Sequence, residues 1–207
     1  MTALRQEEFL PTDLTVDEFL EWAATTDGRY ELVDGEVVAM APPSQTHGLI
    51  FAEISYLISD HLRKSGGRCR VVLEPGVKTR IRARHNYRIP ELGVICKPPV
   101  AGTQMVAEPV LIVEVLSPSN YKATWTNVWA YAANPAVQEI LVIESVKVKA
   151  WLLRRQADSS WPEDPEPIPH SGFIVLDSIG LSIPLVDAYA TTPFAEPTEP
   201  DKSTRTG

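Results

Sequence analysis

A single carboxylate interrupts the most apolar stretch of the chain. Glu114 lies in the string PVLIVEVL over residues 109–116, where every other side chain is apolar. A continuous apolar run of this kind predicts a strand that is buried on both faces near the centre of a sheet. Burying a carboxylate there is costly unless it is paired, hydrogen-bonded or bound to a cation. We therefore interpret Glu114 as a metal ligand, with a structural ion pair or a solvent-facing strand position as the alternatives.

A second acid, Glu91, directly follows Pro90 in the next predicted strand upstream. Proline before an acid favours a strand start or a sheet edge, where the acid can face a cleft. Two carboxylates on adjacent strands can hold one Mg²⁺, which prefers oxygen ligands and keeps several waters and substrate phosphate oxygens. Such an ion lowers the pKa of a bound water and neutralises charge that develops on a phosphodiester. Glu91 and Glu114 together therefore predict a site for phosphodiester hydrolysis.

Basic residues are concentrated in one segment of an otherwise acidic chain. The formal net charge is −8, yet the segment from Arg63 to Arg88 carries +8 and the remainder −16. The acidic balance excludes a generic polycation but permits one basic face toward a polyanion. Within a strand predicted over residues 77–83, alternation places four cations on one side, and we predict that they contact nucleic-acid phosphates: Lys78, Arg80, Arg82 and Arg84. The alternative is a solvated edge strand whose charges discourage aggregation.

Helix-capping signals and hydrophobic periodicity predict the helices and strands that must position these residues. Thr15 and Glu18 form a capping box at the start of a first helix, and Asp34-Gly35 predicts a hairpin turn. Further helices are predicted over 46–65 and 120–133, and further strands over 69–73, 77–83, 89–96, 109–116, 138–143 and 146–153. This order predicts an α/β fold in which helices flank a central mixed sheet. We expect one domain over residues 1–190 and a disordered tail over 191–207.

Two smaller predictions concern the last helix and the cysteines. The helix over 120–133 should bury a stripe of Trp125, Val128, Trp129 and Ala132 and carry a more polar stripe of Thr124, Asn127 and Tyr131. Cys69 and Cys96 have no metal-binding spacing and are interpreted as buried, reduced thiols, with a single disulfide between them as the alternative. No apolar run reaches the length that crosses a bilayer, and the first residues show no apolar signal core. We therefore expect a cytoplasmic protein without a membrane partner.

Four strings of the sequence carry a resemblance to a known family. They are, in order, YELVDGEVVAMAPPSQTHG, LEPGVKTRIRARHNYRIPELGVI, PVLIVEVLSPSN and NVWAYAANPAVQEILVI. Together they resemble the Uma2 family, which is itself similar to restriction endonucleases of the PD-(D/E)xK type, and EVLSPS is the most specific piece. The resemblance implies a restriction endonuclease-like fold, Mg²⁺ as cofactor with Mn²⁺ as a possible replacement, DNA as substrate, and a homodimer.

The resemblance also implies a set of site residues. Glu31 matches the first acid of the family on the opening hairpin, and His47 matches a histidine at the start of the long helix. Glu91 and Glu114 match the two acids of the nuclease signature, with Glu91 standing where aspartate is typical. The lysine of that signature is displaced in this family to the following helix, four residues before a tyrosine. That tyrosine is Tyr131, so the lysine position is occupied by Asn127.

Asn127 bears directly on activity. Asparagine can orient an attacking water as lysine does, but it cannot offset negative charge. Lys122 and Lys78 are possible substitutes for that charge. The predicted function is a Mg²⁺-dependent endonuclease acting on DNA. The alternatives are a catalytically decayed nuclease fold that serves as a nucleic-acid-binding or oligomeric scaffold, and a structural dimer without a nucleic-acid role.

Overall fold

A central six-stranded sheet with a helix on each face organises the protein, which a computed structural model describes over residues 10–195. The helices in that range are α1 (Val16–Ala23), α2 (Gln45–Lys64) and α3 (Tyr121–Ala132), and a short 3-10 helix spans Leu185–Tyr189. The strands are β1 (Tyr30–Val33), β2 (Glu36–Ala39), β3 (Arg70–Leu73), β4 (Val77–Lys78), β5 (Tyr87–Arg88), β6 (Leu92–Ile95), β7 (Pro109–Leu116), β8 (Glu139–Glu144), β9 (Ala150–Arg154), β10 (Glu166–Ile168), β11 (Phe173–Leu176) and β12 (Leu181–Pro184). The predicted α/β fold with a mixed sheet is confirmed.

Strand β7 lies inside the main sheet, whose order is β10-β9-β8-β7-β6-β3. It pairs parallel to β8 and antiparallel to β6, so both of its edges are bonded. Because side chains alternate along a strand, Val113 and Val115 pack with α2 while Ile112 and Leu116 pack with α3. Glu114 lies between Ile112 and Leu116 and therefore faces α3. This is the buried central strand that the apolar run predicts.

A smaller sheet of order β2-β1-β5-β4 carries the opening hairpin. The capping box of Thr15 and Glu18 is present at the start of α1, and α1 covers one face of this sheet through Phe19, which packs with Leu32 and Tyr87. The turn residues Asp34 and Gly35 have φ of 54° and 95°, the left-handed geometry that a tight hairpin turn needs. Since Leu32 faces α1, its neighbour Glu31 faces the opposite side of the sheet.

The prediction of a basic strand over residues 77–83 is wrong. β4 ends at Lys78, and residues 81–84 form a turn in which Arg82 has a φ of 44°. The buried side chain of Asn86 shapes this turn, because its amide donates to the Ile81 carbonyl and to Asp34. The four cations are exposed, but they do not share one face of a strand: Lys78 ends β4, Arg80 follows it, and Arg82 and Arg84 lie in the turn.

Two other predicted strands have different limits. β6 begins at Leu92 rather than at residue 89, so Glu91 lies just before the strand, as expected for an acid that follows a proline. The connection between the strands predicted over 138–143 and 146–153 is longer than expected, since β9 begins only at Ala150.

The predicted stripe of α3 is partly inverted. Trp129 is 40% exposed, whereas Thr124, Asn127 and Tyr131 are buried. The reason is that α3 turns its polar stripe toward Glu114 and the small sheet, where these side chains find polar neighbours. Trp125 stays partly buried against Trp151 of β9, with 5.8 Å between ring centroids.

The cysteines were expected as reduced thiols, but the structure joins Cys69 and Cys96 in a disulfide. Cys69 precedes β3 and Cys96 follows β6, and these strands pair antiparallel with Arg70 opposite Ile95. The register therefore brings the two cysteines together as the next pair along the ladder.

The chain end is ordered somewhat beyond the predicted domain limit. Thr192 is buried, and Phe194 packs edge-on against Tyr189. The rest of the predicted tail, residues 196–207, lies outside the described residues. Within residues 10–195, no helix combines the length and the apolar character needed to cross a membrane.

Candidate active site

One cleft contains all five side chains that the sequence singles out as catalytic. It has a volume of about 630 Å³ and lies between the small sheet, the start of α2 and the polar stripe of α3. Residues from widely separated parts of the chain line it, including Glu31, His47, Glu91, Glu114 and Asn127.

His47 and Glu91 form the first contact of the cleft. Ser44 caps α2, and its hydroxyl oxygen accepts a hydrogen bond from the His47 backbone N–H at 3.2 Å. The cap fixes the first helical turn, which directs the buried imidazole toward the start of β6. There Nε2 of His47 lies 2.7 Å from Oε1 of Glu91. His47 is therefore buried in the cleft and holds the orientation of Glu91.

Glu31 and Asn127 form the second contact. The Asn127 amide donates to both carboxylate oxygens of Glu31, at 3.3 Å and 3.2 Å. The Ile89 backbone N–H donates to Oε1 of Glu31 at 2.7 Å. Burial raises the pKa of Glu31. The hydrogen bonds from Ile89 and Asn127 and the charges of Arg88 and Arg29 oppose part of that rise. Asn127 thus occupies the lysine position as a neutral partner of a buried acid.

Glu114 is the most perturbed acid of the cleft. Burial raises its pKa well above the ordinary value, and repulsion from Glu91 and then Glu31 raises it further. Burial and the charge of Glu114 likewise raise the pKa of Tyr131. The Tyr131 hydroxyl is close enough to lower the pKa of Glu114, but its geometry falls short of a hydrogen bond and its oxygen is buried without a partner. The cleft therefore disfavours the charged form of Glu114 in the absence of a cation.

The donor set of this cleft fits a hard divalent cation. Within residues 10–195, no group of three or more His, Cys, Asp or Glu residues could hold a metal ion. Mg²⁺ does not require such a cage, because it binds through one or two carboxylates and completes its shell with water and phosphate oxygens. Glu91 and Glu114 supply two carboxylates, and their mutual repulsion is the interaction that a cation would relieve.

Two arginines near the cleft were not predicted. Arg29 lines the cleft itself. Arg88 is only 5% exposed and donates to Oδ1 of Asn86 at 2.9 Å, while its Nε is buried without a partner. Because Leu32 pairs with Tyr87, Glu31 lies opposite Arg88 across the antiparallel strands, and both side chains lie on the same face. That register joins segments more than fifty residues apart, so no local pattern indicates it.

The predicted phosphate-binding cations lie outside the cleft. None of Lys78, Arg80, Arg82 and Arg84 lines it, and Arg82 contacts Asp34 at 3.6 Å. Lys122 lines a separate surface hollow beside Trp125 and Trp129. Neither Lys122 nor Lys78 therefore lies at the cleft wall, where a substitute for the missing lysine would be needed.

Comparison with known proteins identifies the family and the fold of the chain. The sequence profile of the Uma2 family, described as "Putative restriction endonuclease", matches residues 16–182. The chain belongs to the Uma2 family. An uncharacterized protein of Synechocystis sp. is 33% identical to this Uma2 chain over 150 residues, which cover 72% of this chain and 77% of that protein.

A solved structure shares the fold of this Uma2 protein. The crystal structure of a putative nuclease belonging to DUF820 from Anabaena variabilis superimposes with a TM-score of 0.68 at 19% sequence identity. The match covers 86% of this chain and 98% of that one. At this identity the similarity establishes the fold.

Proposed function

We propose that this Uma2 protein is a divalent-metal-dependent endonuclease that hydrolyses phosphodiester bonds of DNA. The observation that carries the proposal is the convergence of Glu31, Glu91 and Glu114 in one cleft, together with the burial of Glu114. Burial raises the pKa of Glu114, and repulsion from Glu91 and Glu31 raises it further, so a bound cation would stabilise its charged form. Family membership supports the same reaction class.

Each residue of the site has its own role in the proposed reaction. Glu91 and Glu114 would hold Mg²⁺, with Mn²⁺ as a replacement, and His47 keeps Glu91 in place for that role. The bound ion would activate a water and neutralise charge on the phosphoryl group. Asn127, held by Glu31, offers an amide that orients water or a phosphate oxygen, but without the positive charge of a lysine.

The exposed segment from Lys78 to Arg84 would extend the interaction beyond the cleft. Lys78, Arg80, Arg82 and Arg84 are exposed and would contact phosphates on either side of the cleaved bond. A homodimer and a cytoplasmic location, both expectations from the sequence, belong to the same proposal.

A plasmid cleavage assay tests the proposal. Supercoiled plasmid is incubated with the protein and Mg²⁺ or Mn²⁺, with EDTA as the metal-free arm, and nicked product is followed in time. We expect slow nicking that EDTA and Glu114→Ala both abolish. The matched control is Glu163→Ala, which removes an exposed acid outside the cleft and should leave the rate unchanged.

Two outcomes would change the assignment. If the wild type is inert and Asn127→Lys restores cleavage, the chain is a decayed nuclease and the scaffold function takes precedence. If both proteins are inert although isothermal titration shows bound Mn²⁺, the nuclease assignment is wrong for this chain.

A further inference from the structure

Arg29 places a positive charge in the wall of the cleft. Among the described residues that line the cleft, it is the one lysine or arginine, and it shares the wall with the three carboxylates. A phosphodiester that reaches those acids is an anion entering a negatively charged cavity. It therefore needs a positive side chain on its path, and a guanidinium is well suited because it can bind two phosphate oxygens at once.

Arg29 is already bound to an anion. Its Nη2 lies 2.5 Å from Oε1 of Glu74, and the two side chains are 42% and 39% exposed. An ion pair this exposed contributes little net free energy, because solvent screens it and two long side chains must be ordered. A competing anion can therefore displace the Glu74 carboxylate at small cost.

Glu74 is held at this position by the backbone. It follows β3 of the main sheet with a φ of 48°, which a side chain-bearing residue rarely adopts. Its N–H donates to the Glu91 carbonyl at 2.8 Å, which ties the turn to a proposed metal ligand. Arg29 directly precedes β1 of the small sheet. The ion pair therefore bridges the two sheets at the rim of the cleft.

We propose that Arg29 is a phosphate-binding residue of the cleft and that Glu74 is its partner in the absence of nucleic acid. When DNA binds, a backbone phosphate takes the place of the Glu74 carboxylate on the guanidinium. This inference deepens the proposed function and rests on it for the identity of the ligand, but it concerns binding and not the hydrolytic step.

Opposite effects of the two partners test the exchange. The binding of a fluorescein-labelled 20-base-pair duplex is measured by fluorescence anisotropy in EDTA, over a series of NaCl concentrations. Arg29→Gln should weaken binding about tenfold and reduce the log–log salt slope by about 0.9, the value for one lost phosphate contact. Glu74→Gln should tighten binding about threefold, because it removes the competing anion.

A matched control separates exchange from a general effect of net charge. Asp60→Asn also breaks an exposed ion pair, to Lys64 at 2.7 Å, and changes the net charge by the same amount. It lies thirteen residues beyond His47 on α2, so roughly 20 Å along the helix from the cleft. We expect it to alter affinity much less than Glu74→Gln does. The gain from Glu74→Gln should also disappear in the Arg29→Gln background.

The outcomes distinguish this inference from the proposed function. If the wild type cleaves plasmid but Arg29→Gln keeps its affinity and salt slope, the Arg29 inference fails alone. If the gain from Glu74→Gln persists without Arg29, or Asp60→Asn gives the same gain, the exchange is wrong. Coupling between Arg29 and Glu74 in a protein that does not cleave would support the exchange while the hydrolytic proposal fails.

Discussion

Replacing Asn127 by lysine tests directly how much the departure at this position costs. The Asn127 amide already reaches both oxygens of Glu31 at 3.2–3.3 Å, so a longer side chain would place an ammonium inside the cleft. Losing one well-placed donor to a developing oxyanion typically costs about 3–4 kcal/mol. A charged donor is about twice as strong as a neutral one, so asparagine should retain about half of that stabilisation. Lysine would then recover about 1.5–2 kcal/mol, or roughly 10- to 30-fold in rate.

The assay is a time course of plasmid nicking by the wild type, Asn127→Lys and Asn127→Met at saturating Mg²⁺. Methionine provides a similar stem without charge, so Asn127→Met should be slower than the wild type. Thermal unfolding of each variant shows whether the protein remains folded. If Asn127→Lys is folded, binds metal and cleaves no faster than Asn127→Met, position 127 does not act on the reacting phosphate and the rate argument is refuted.

Three further predictions concern stability and binding. The pKa of Glu114 is raised in the folded protein, so the stability of the metal-free protein should fall as pH rises from about 4.5 toward that raised pKa. Glu114→Gln should therefore unfold at a higher temperature than the metal-free wild type at neutral pH, and the difference should grow as pH rises. Added Mg²⁺ should reverse this order. Replacing Arg80 and Arg82 together by alanine should reduce the slope of log affinity for DNA against log salt concentration by about two. An unchanged slope would show that these two arginines do not contact DNA. Reducing the disulfide between Cys69 and Cys96, which are 27 residues apart, should cost about 3.5 kcal/mol and lower the melting temperature by about 7–14 °C, measured by calorimetry with and without dithiothreitol.

Local signals predicted the elements that depend on local chemistry. The capping box at Thr15, the hairpin turn at Asp34 and the limits of α2 and α3 all follow from residues a few positions apart. The buried central strand followed from composition alone, because only a strand covered on both faces tolerates such a run. The convergence of the five site residues followed from the family resemblance, since no spacing rule connects Glu31 to Asn127.

Tertiary contacts decided the features that the sequence did not predict. The alternation of cations after Val77 favours a strand, but Asn86 bonds Ile81 and Asp34 and closes a turn instead. Helical periodicity favours burying the two tryptophans of α3, but it cannot tell which face meets a cleft containing Glu114. Arg88 and the disulfide depend on strand register between distant segments, which local patterns do not specify.

The parallel pairing of β7 with β8 has a consequence for synthesis of the chain. Glu114 is on β7, but the position of β7 in the sheet depends on β8, which ends at Glu144, and α3 lies between the two strands. A nascent chain that has emerged only as far as β7 carries the three acids without the strand and helix that assemble them. Contacts between residues so far apart in sequence form late, because the loop between them must close, at a cost in entropy, before the contacts can stabilise the fold. A ribosome-bound intermediate should therefore be unable to attack nucleic acid, and cleavage would begin only after most of the domain has folded.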